Sequence, residues 1–193
     1  IKVAARVTEL MISDENSQMV YERFIIIASI IHLLCGLGYL KSTLAGKTKP
    51  NKITWFLWTL VPMVVFYAQI KQDVGLVALR SFMAGFVPGL IFLASFLNKN
   101  ANWKITKLDV TCGILSLLGI VLWQITNIPN MAILFAIIAD GLATIPTIVK
   151  SWKFPETENS LAFYGGGLSA LVALLTIKSW NFANSAFFIY LFV

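Results

Sequence analysis

Seven long apolar runs divide this chain, and nothing else in the sequence constrains its fold as tightly. They cover residues 24–46, 53–70, 76–97, 108–126, 131–151, 161–178 and 184–193, the last cut short at Val193. Most reach the roughly 17–25 residues that a helix needs to cross a bilayer. Short hydrophilic breaks separate them: KTKPNK, KQDVG, NKNANWKITK, NIPN, KFPETENS and SWNFA. Hydrocarbon offers backbone polar groups no partner outside the segment, so each run is read as a helix. Of the 193 residues, 58% are hydrophobic and only 12% charged, and the mean hydropathy is +0.80, more apolar surface than a water-exposed domain of this size can hide. The expected fold class is all-α and polytopic, a membrane protein with the lipid bilayer as its solvent.

The net charge of +6 is read as topology and not as nucleic-acid binding, because the lysines gather in the breaks. The loops after the first, third and fifth runs carry nine cations: Lys41, Lys47, Lys49, Lys52, Lys99, Lys104, Lys107, Lys150 and Lys153. The opposite side carries six: Lys2, Arg6, Arg23, Lys71, Arg80 and Lys178. The positive-inside rule then puts the N-terminus outside and the C-terminus in the cytoplasm of a cell membrane. Residues 1–22 form a polar tail without a signal-peptide pattern, in which Val3, Val7 and Leu10 support a weak amphipathic turn or two. Cys35 and Cys112 each lie within an apolar run, so buried thiols are expected, with neither a disulfide nor a metal site. No GxSxG, HExxH, phosphate-binding glycine loop or intramembrane carboxylate pair occurs, so neither an enzyme nor a cofactor is expected.

A shift of 105 residues superposes the two ends of the chain. Pro50 falls on Pro155, WFLWTL (55–60) on SLAFYG (160–165), and RSFMAGFV (80–87) on SAFFIYLF (185–192). The chain therefore divides into a first three-helix repeat over 23–98, a linker with the fourth helix over 99–129, and a second repeat over 130–193. One intervening helix makes the two repeats parallel in the membrane. Parallel repeats pack around an axis along the membrane normal, with solute sites at their shared interface.

The fifth run ends in ATIPTIVKSWK followed by PETENS. This is similar to the Pro-Gln or Pro-Thr dipeptide near a helix end, then a lysine-bearing stretch and a hydroxyl-bearing loop, of the SWEET and PQ-loop superfamily of membrane transporters. Pro146 and Thr147 take the place of that dipeptide. In the first half the position of Pro146 is held by Lys41, so one repeat keeps the motif. The resemblance implies a 3+1+3 bundle in which helices 1 and 5 face each other across a central cavity. It also implies alternating-access transport of a small polar solute such as a sugar, an amino acid or a vitamin-like molecule. A ligand-binding receptor of the same fold, or a structural membrane subunit, are the other readings, and self-association is left open.

Asp140 is the sharpest anomaly, a carboxylate near the centre of the fifth run, where insertion of the charge costs about 2.5–3.5 kcal/mol. Thr144 and Thr147 continue its stripe at i+4 and i+7, and Ala132, Ala136, Ala139 and Ala143 form a small-residue stripe beside it. Asp140 either lines a solute or proton path or hydrogen-bonds across helices. His32, at similar depth in the first run, either pairs with Asp140 or bonds a local group such as Ser29. Trp55, Trp58, Thr59 and Pro62 share one face of the second run. Trp55 is read as an interfacial anchor, while Trp58 and Thr59 are candidates for stacking and hydrogen bonding to a solute. Tyr164, the repeat equivalent of Thr59, and Tyr39 complete the candidate solute-binding set. Pro62, Pro88 and Pro146 are candidate hinges, and Gly85, Gly89 and Gly165–Gly167 are candidates for close packing. Arg80 is placed near the outer end of the third run, free to snorkel. Cys112, Ser116 and Gly119 read as a packing stripe.

Overall fold

The computed structural model describes residues 2–71, 77–125, 129–175, 180 and 182–193, with 2–22 described by backbone alone. Among the described residues the chain is helical, without strands. The helices are α1 (Lys2–Leu44), α2 (Lys52–Lys71), α3 (Val77–Ala94), α4 (Lys107–Ile125), α5 (Pro129–Lys153), α6 (Leu161–Leu175) and α7 (Phe182–Phe192). Two short 3-10 turns, Lys99–Ala101 and Pro155–Thr157, precede α4 and α6. Each helix matches one apolar run. All but Lys71 of the break at 71–75 and parts of those at 127–130 and 179–183 lie outside the described residues, as do Lys178 and the side chains of Val3, Val7, Leu10 and Ala132.

The segment expected as a polar tail is instead the first half of α1, a helix of 43 residues. Its sequence contains neither proline nor glycine before Gly36, so nothing interrupts the hydrogen-bond ladder once it starts. Arg23–Leu44 and Ile133–Lys153 are long and apolar enough to cross a membrane; 52–67, 78–94 and 161–175 are apolar but shorter.

Local signals set the helix ends. α1 stops in a Schellman motif: Gly46 N–H donates to Thr43 O and Lys47 N–H to Ser42 O, both at 2.9 Å. The motif puts Gly46 at φ 70°, a conformation glycine adopts without strain. Asn51 caps α2 by accepting from Ile53 N–H (3.2 Å) and Thr54 N–H (3.4 Å). Thr106 and Asp109 form a capping box at the start of α4. Asp109 Oδ1 also accepts from Asn51 Nδ2 at 2.7 Å, tying the starts of α2 and α4 together.

Six helices close into a ring. Within the first repeat α3 packs against both α1 and α2; within the second, α7 packs against both α5 and α6. Across the repeats α1 meets α6 and α2 meets α5, equivalent pairs under the 105-residue shift. The order around the ring is α1-α3-α2-α5-α7-α6, and α4 lies outside it against α2 and α5.

Small residues let the backbones approach at each contact. A Cβ on Gly36 would lie 2.1 Å from Val87 Cγ1 of α3, and one on Gly165 would lie 2.2 Å from Cys35 Cβ of α1. Gly85 and Gly89 admit Thr59 of α2 in the same way. Hydroxyls reinforce the joints: Ser169 donates to Ala28 O at 2.8 Å, Thr54 to Ala143 O at 2.8 Å and Ser116 to Ala139 O at 2.7 Å. The Cys112-Ser116-Gly119 stripe thus faces the alanine stripe of α5. Large apolar side chains cover the outside, among them Ile114, Leu118, Val121 and Leu122 of α4.

Candidate functional site

The ends of α1 and α5 and the starts of α2, α4 and α6 meet at one end of the ring, joined by the loops 45–51 and 154–160. Glu158 organises this end. Its carboxylate accepts from Tyr39 Oη at 2.6 Å and from Lys150 Nζ at 2.5 Å. Lys150 also donates to Lys49 O and stands 5.0 Å from the centre of the Trp103 ring. Both charged side chains are almost wholly buried, at 1% and 6% exposed. Lys49 N–H donates to Thr157 O (2.9 Å) and Asn159 Nδ2 to Ser42 Oγ (2.9 Å). Together these contacts latch the two interhelical loops to each other.

Above the latch lies an aromatic layer. Trp55 lies tilted at 4.7 Å from Tyr39 and edge-to-face at 5.1 Å from Trp58, and Phe163 of α6 lies 6.1–6.4 Å from all three rings. Phe163 is the repeat equivalent of Trp58, so both repeats supply an aromatic here. Trp55 is buried, with no hydrogen-bond partner for its indole N–H, and is not an interfacial anchor.

A polar chain crosses from α2 through α5 to α7. Trp58 Nε1–H donates to Thr144 Oγ1 at 3.2 Å, and Thr144 donates to its own Asp140 O at 2.8 Å. Tyr190 Oη donates to Asp140 Oδ2 at 2.9 Å and lies 3.4 Å from the Thr144 hydroxyl. The carboxylate is 5% exposed. Asp140 precedes Lys150 by ten residues, so it sits about 15 Å from the latch along α5. Thr147, about two turns nearer the latch, is buried with an unpartnered hydroxyl. An indole face, hydroxyls and a carboxylate converging at mid-helix depth suit a small polar solute held by stacking and hydrogen bonds.

The structure thus brings Asp140, Thr144 and Trp58 together and redirects the other candidates. Thr59 donates to Trp55 O and packs on Gly89, so it faces α3 and not the ring centre. Tyr164 is 74% exposed on the outer face of α6, because Phe163, one residue earlier, takes the inward direction. Tyr39 is wholly buried, but its hydroxyl is committed to Glu158 in the latch. His32 does not pair with Asp140, whose carboxylate is engaged by Tyr190, nor with Ser29, which donates to Ile25 O. Neither imidazole nitrogen has a hydrogen-bond partner. Arg80 does not snorkel: it is 3% exposed, on a helix that packs against both α1 and α2. Pro62, Pro88 and Pro146 all lie inside their helices and are buried. Among the described residues no three His, Cys, Asp or Glu side chains gather as metal ligands.

Tyr190, Glu158 and Lys150 are the participants that sequence reasoning missed. Tyr190 bears the lone hydroxyl in the apolar stretch AFFIYLFV, a signal of the same kind as Asp140. Comparison with protein-family models, with curated proteins and with solved structures finds no match to this chain.

Proposed function

We propose that this chain is a seven-span membrane transporter of the SWEET-like type, which moves a small polar solute through the centre of its six-helix ring. One observation carries the reading: two like three-helix units enclose the chain Trp58–Thr144–Tyr190–Asp140 at mid-helix depth. A protein whose polar groups served packing alone has no need to collect an indole, two hydroxyls and a carboxylate from three helices at one level. The apolar outer surface favours a bilayer around the ring, and each helix too short by itself gains from neighbours and flanking anchors. All nine loop lysines belong to the breaks on the latch side, and the positive-inside rule supports reading that side as cytoplasmic. With the loops locked by Glu158 and Lys150, the conformation is closed to the cytoplasm. Transport then consists of breaking the latch while the opposite end closes, with Pro62, Pro88 and Pro146 absorbing the bending.

The test is solute counterflow in proteoliposomes, after a thermal-shift screen of sugars, amino acids and vitamins on the purified protein. A ligand of the folded state raises its melting temperature. Exchange of a stabilising solute, lost in Trp58→Ala and Asp140→Asn, supports transport. Binding without exchange points to a receptor. Neither binding nor exchange across all three classes removes the reading.

A further inference from the structure

Arg80 of α3 and His32 of α1 lie on two helices that pack against each other, on the ring but apart from the Asp140 chain. Arg80 is 3% exposed, and its Nε and Nη1 have no hydrogen-bond partner. Both nitrogens of His32 are likewise buried and unpartnered. The guanidinium is close enough for its charge to act on the imidazole. Burying a cation without a counter-charge is costly, and removal of the partner from a buried ion pair is among the most destabilising changes known. The described carboxylates are engaged elsewhere or exposed. Asp109 takes Asn51, Asp140 takes Tyr190, Glu158 takes Lys150, and Glu156 is exposed. The first turn of α3 holds no acidic residue, and its positive helix end adds to the attraction for an anion.

We propose that Arg80 and His32 form the binding site for an anionic group, a carboxylate or a phosphate, on the transported solute. The guanidinium supplies a charged, bidentate fork suited to either group, and the imidazole supplies a second donor. The neutral polar surface of the solute then lies toward Trp58 and Thr144. The assignment rests on the transport reading and narrows it to acidic solutes. Water does not reach these nitrogens in the closed conformation, so the anion arrives when the helices part.

The experiment compares melting temperatures of the full chain in neutral detergent and anion-poor buffer with sodium gluconate, sodium phosphate, glucose and phosphatidylglycerol micelles added, against sodium chloride at matched ionic strength. Gluconate or phosphate is expected to raise the wild-type midpoint saturably, by about 5–10 °C at a hundredfold excess over Kd. The rise is expected to vanish in Arg80→Met and to shrink in His32→Gln. Without added anion, Arg80→Met is expected to melt no lower than wild type, since an apolar side chain replaces an uncompensated charge. A lower midpoint for Arg80→Met in anion-poor buffer means the guanidinium has a structural partner and overturns the proposal. Arg80→Lys serves if the methionine variant does not fold, and it is expected to keep a reduced gluconate or phosphate response. No response of wild type to either soluble anion, or a response to phosphatidylglycerol alone, also overturns the proposal. If glucose or another neutral solute is exchanged in counterflow while the anions do nothing, this assignment fails and the transport reading stands; if nothing is exchanged, the transport reading fails first.

Discussion

Replacing Glu158 by alanine tests the latch, and the structure fixes how large the effect must be. An exposed ion pair is worth about 0–1 kcal/mol, because water screens it. The Lys150–Glu158 pair is different, with side chains 1% and 6% exposed. Alanine leaves the Lys150 ammonium buried with the Lys49 carbonyl, the Trp103 ring and the charge of Asp109 beyond ion-pair distance, and it strips Tyr39 of its acceptor. Removing one partner from a buried pair costs about 3–5 kcal/mol. For a chain of this length that corresponds to a fall in Tm of about 6–20 °C. Thermal unfolding of the purified protein reads this directly. The double variant Lys150→Met, Glu158→Gln removes both charges and leaves an amide for Tyr39, so it is expected to recover most of the loss. A fall of less than about 1 kcal/mol in Glu158→Ala would mean the pair behaves as a solvated one. A double variant no better than the single would refute the claim that the stranded charge, and not lost packing, is the cause.

Helix contacts and the site give further expectations. Gly165→Ala places a Cβ 2.2 Å from Cys35 Cβ and is expected to cost about 1–3 kcal/mol by chemical or thermal unfolding, whereas Gly166→Ala meets nothing within 4 Å and is expected to be neutral or stabilising by up to about 1 kcal/mol. Equal effects at the two glycines would contradict the α1–α6 packing. Tyr190→Phe removes the donor to Asp140 Oδ2 and leaves a buried carboxylate short of a partner; a loss of about 1–3 kcal/mol is expected, and unchanged stability would show the bond to be absent in solution.

Position along a helix is legible in a sequence, and position around a bundle much less so. The apolar runs and the Gly, Pro and Asn residues between them locate all seven helices, because hydropathy and capping are local. The alanine stripe of α5 and the Cys112-Ser116-Gly119 stripe of α4 are legible for the same reason: small residues at helical spacing mark a joint. Helical spacing nominates Thr59 and repeat register nominates Tyr164, and one residue of register turns a side chain through about 100° on a helix. The latch was hidden because Tyr39 and Glu158 are 119 residues apart and meet through loops without periodicity. Arg80 looked interfacial by its place near the end of a run, but a residue at a helix end is buried when neighbours pack there. The polar stretch over 2–22 shows the converse: composition argued against membrane burial and said little about helicity.

The position of α4 bears on how the chain could be divided. The α1–α6 joint is held by direct contact through Gly165 and Ser169, whereas the α2–α5 joint also leans on α4, bound through Asp109 to Asn51 and through Ser116 to Ala139. The fourth helix is therefore a strut as well as a connector. Two fragments made by omitting 99–129 would retain equivalent three-helix units, yet only one of their two mutual contacts would remain fully supported. A split protein that reassembles must carry α4 on one of its pieces.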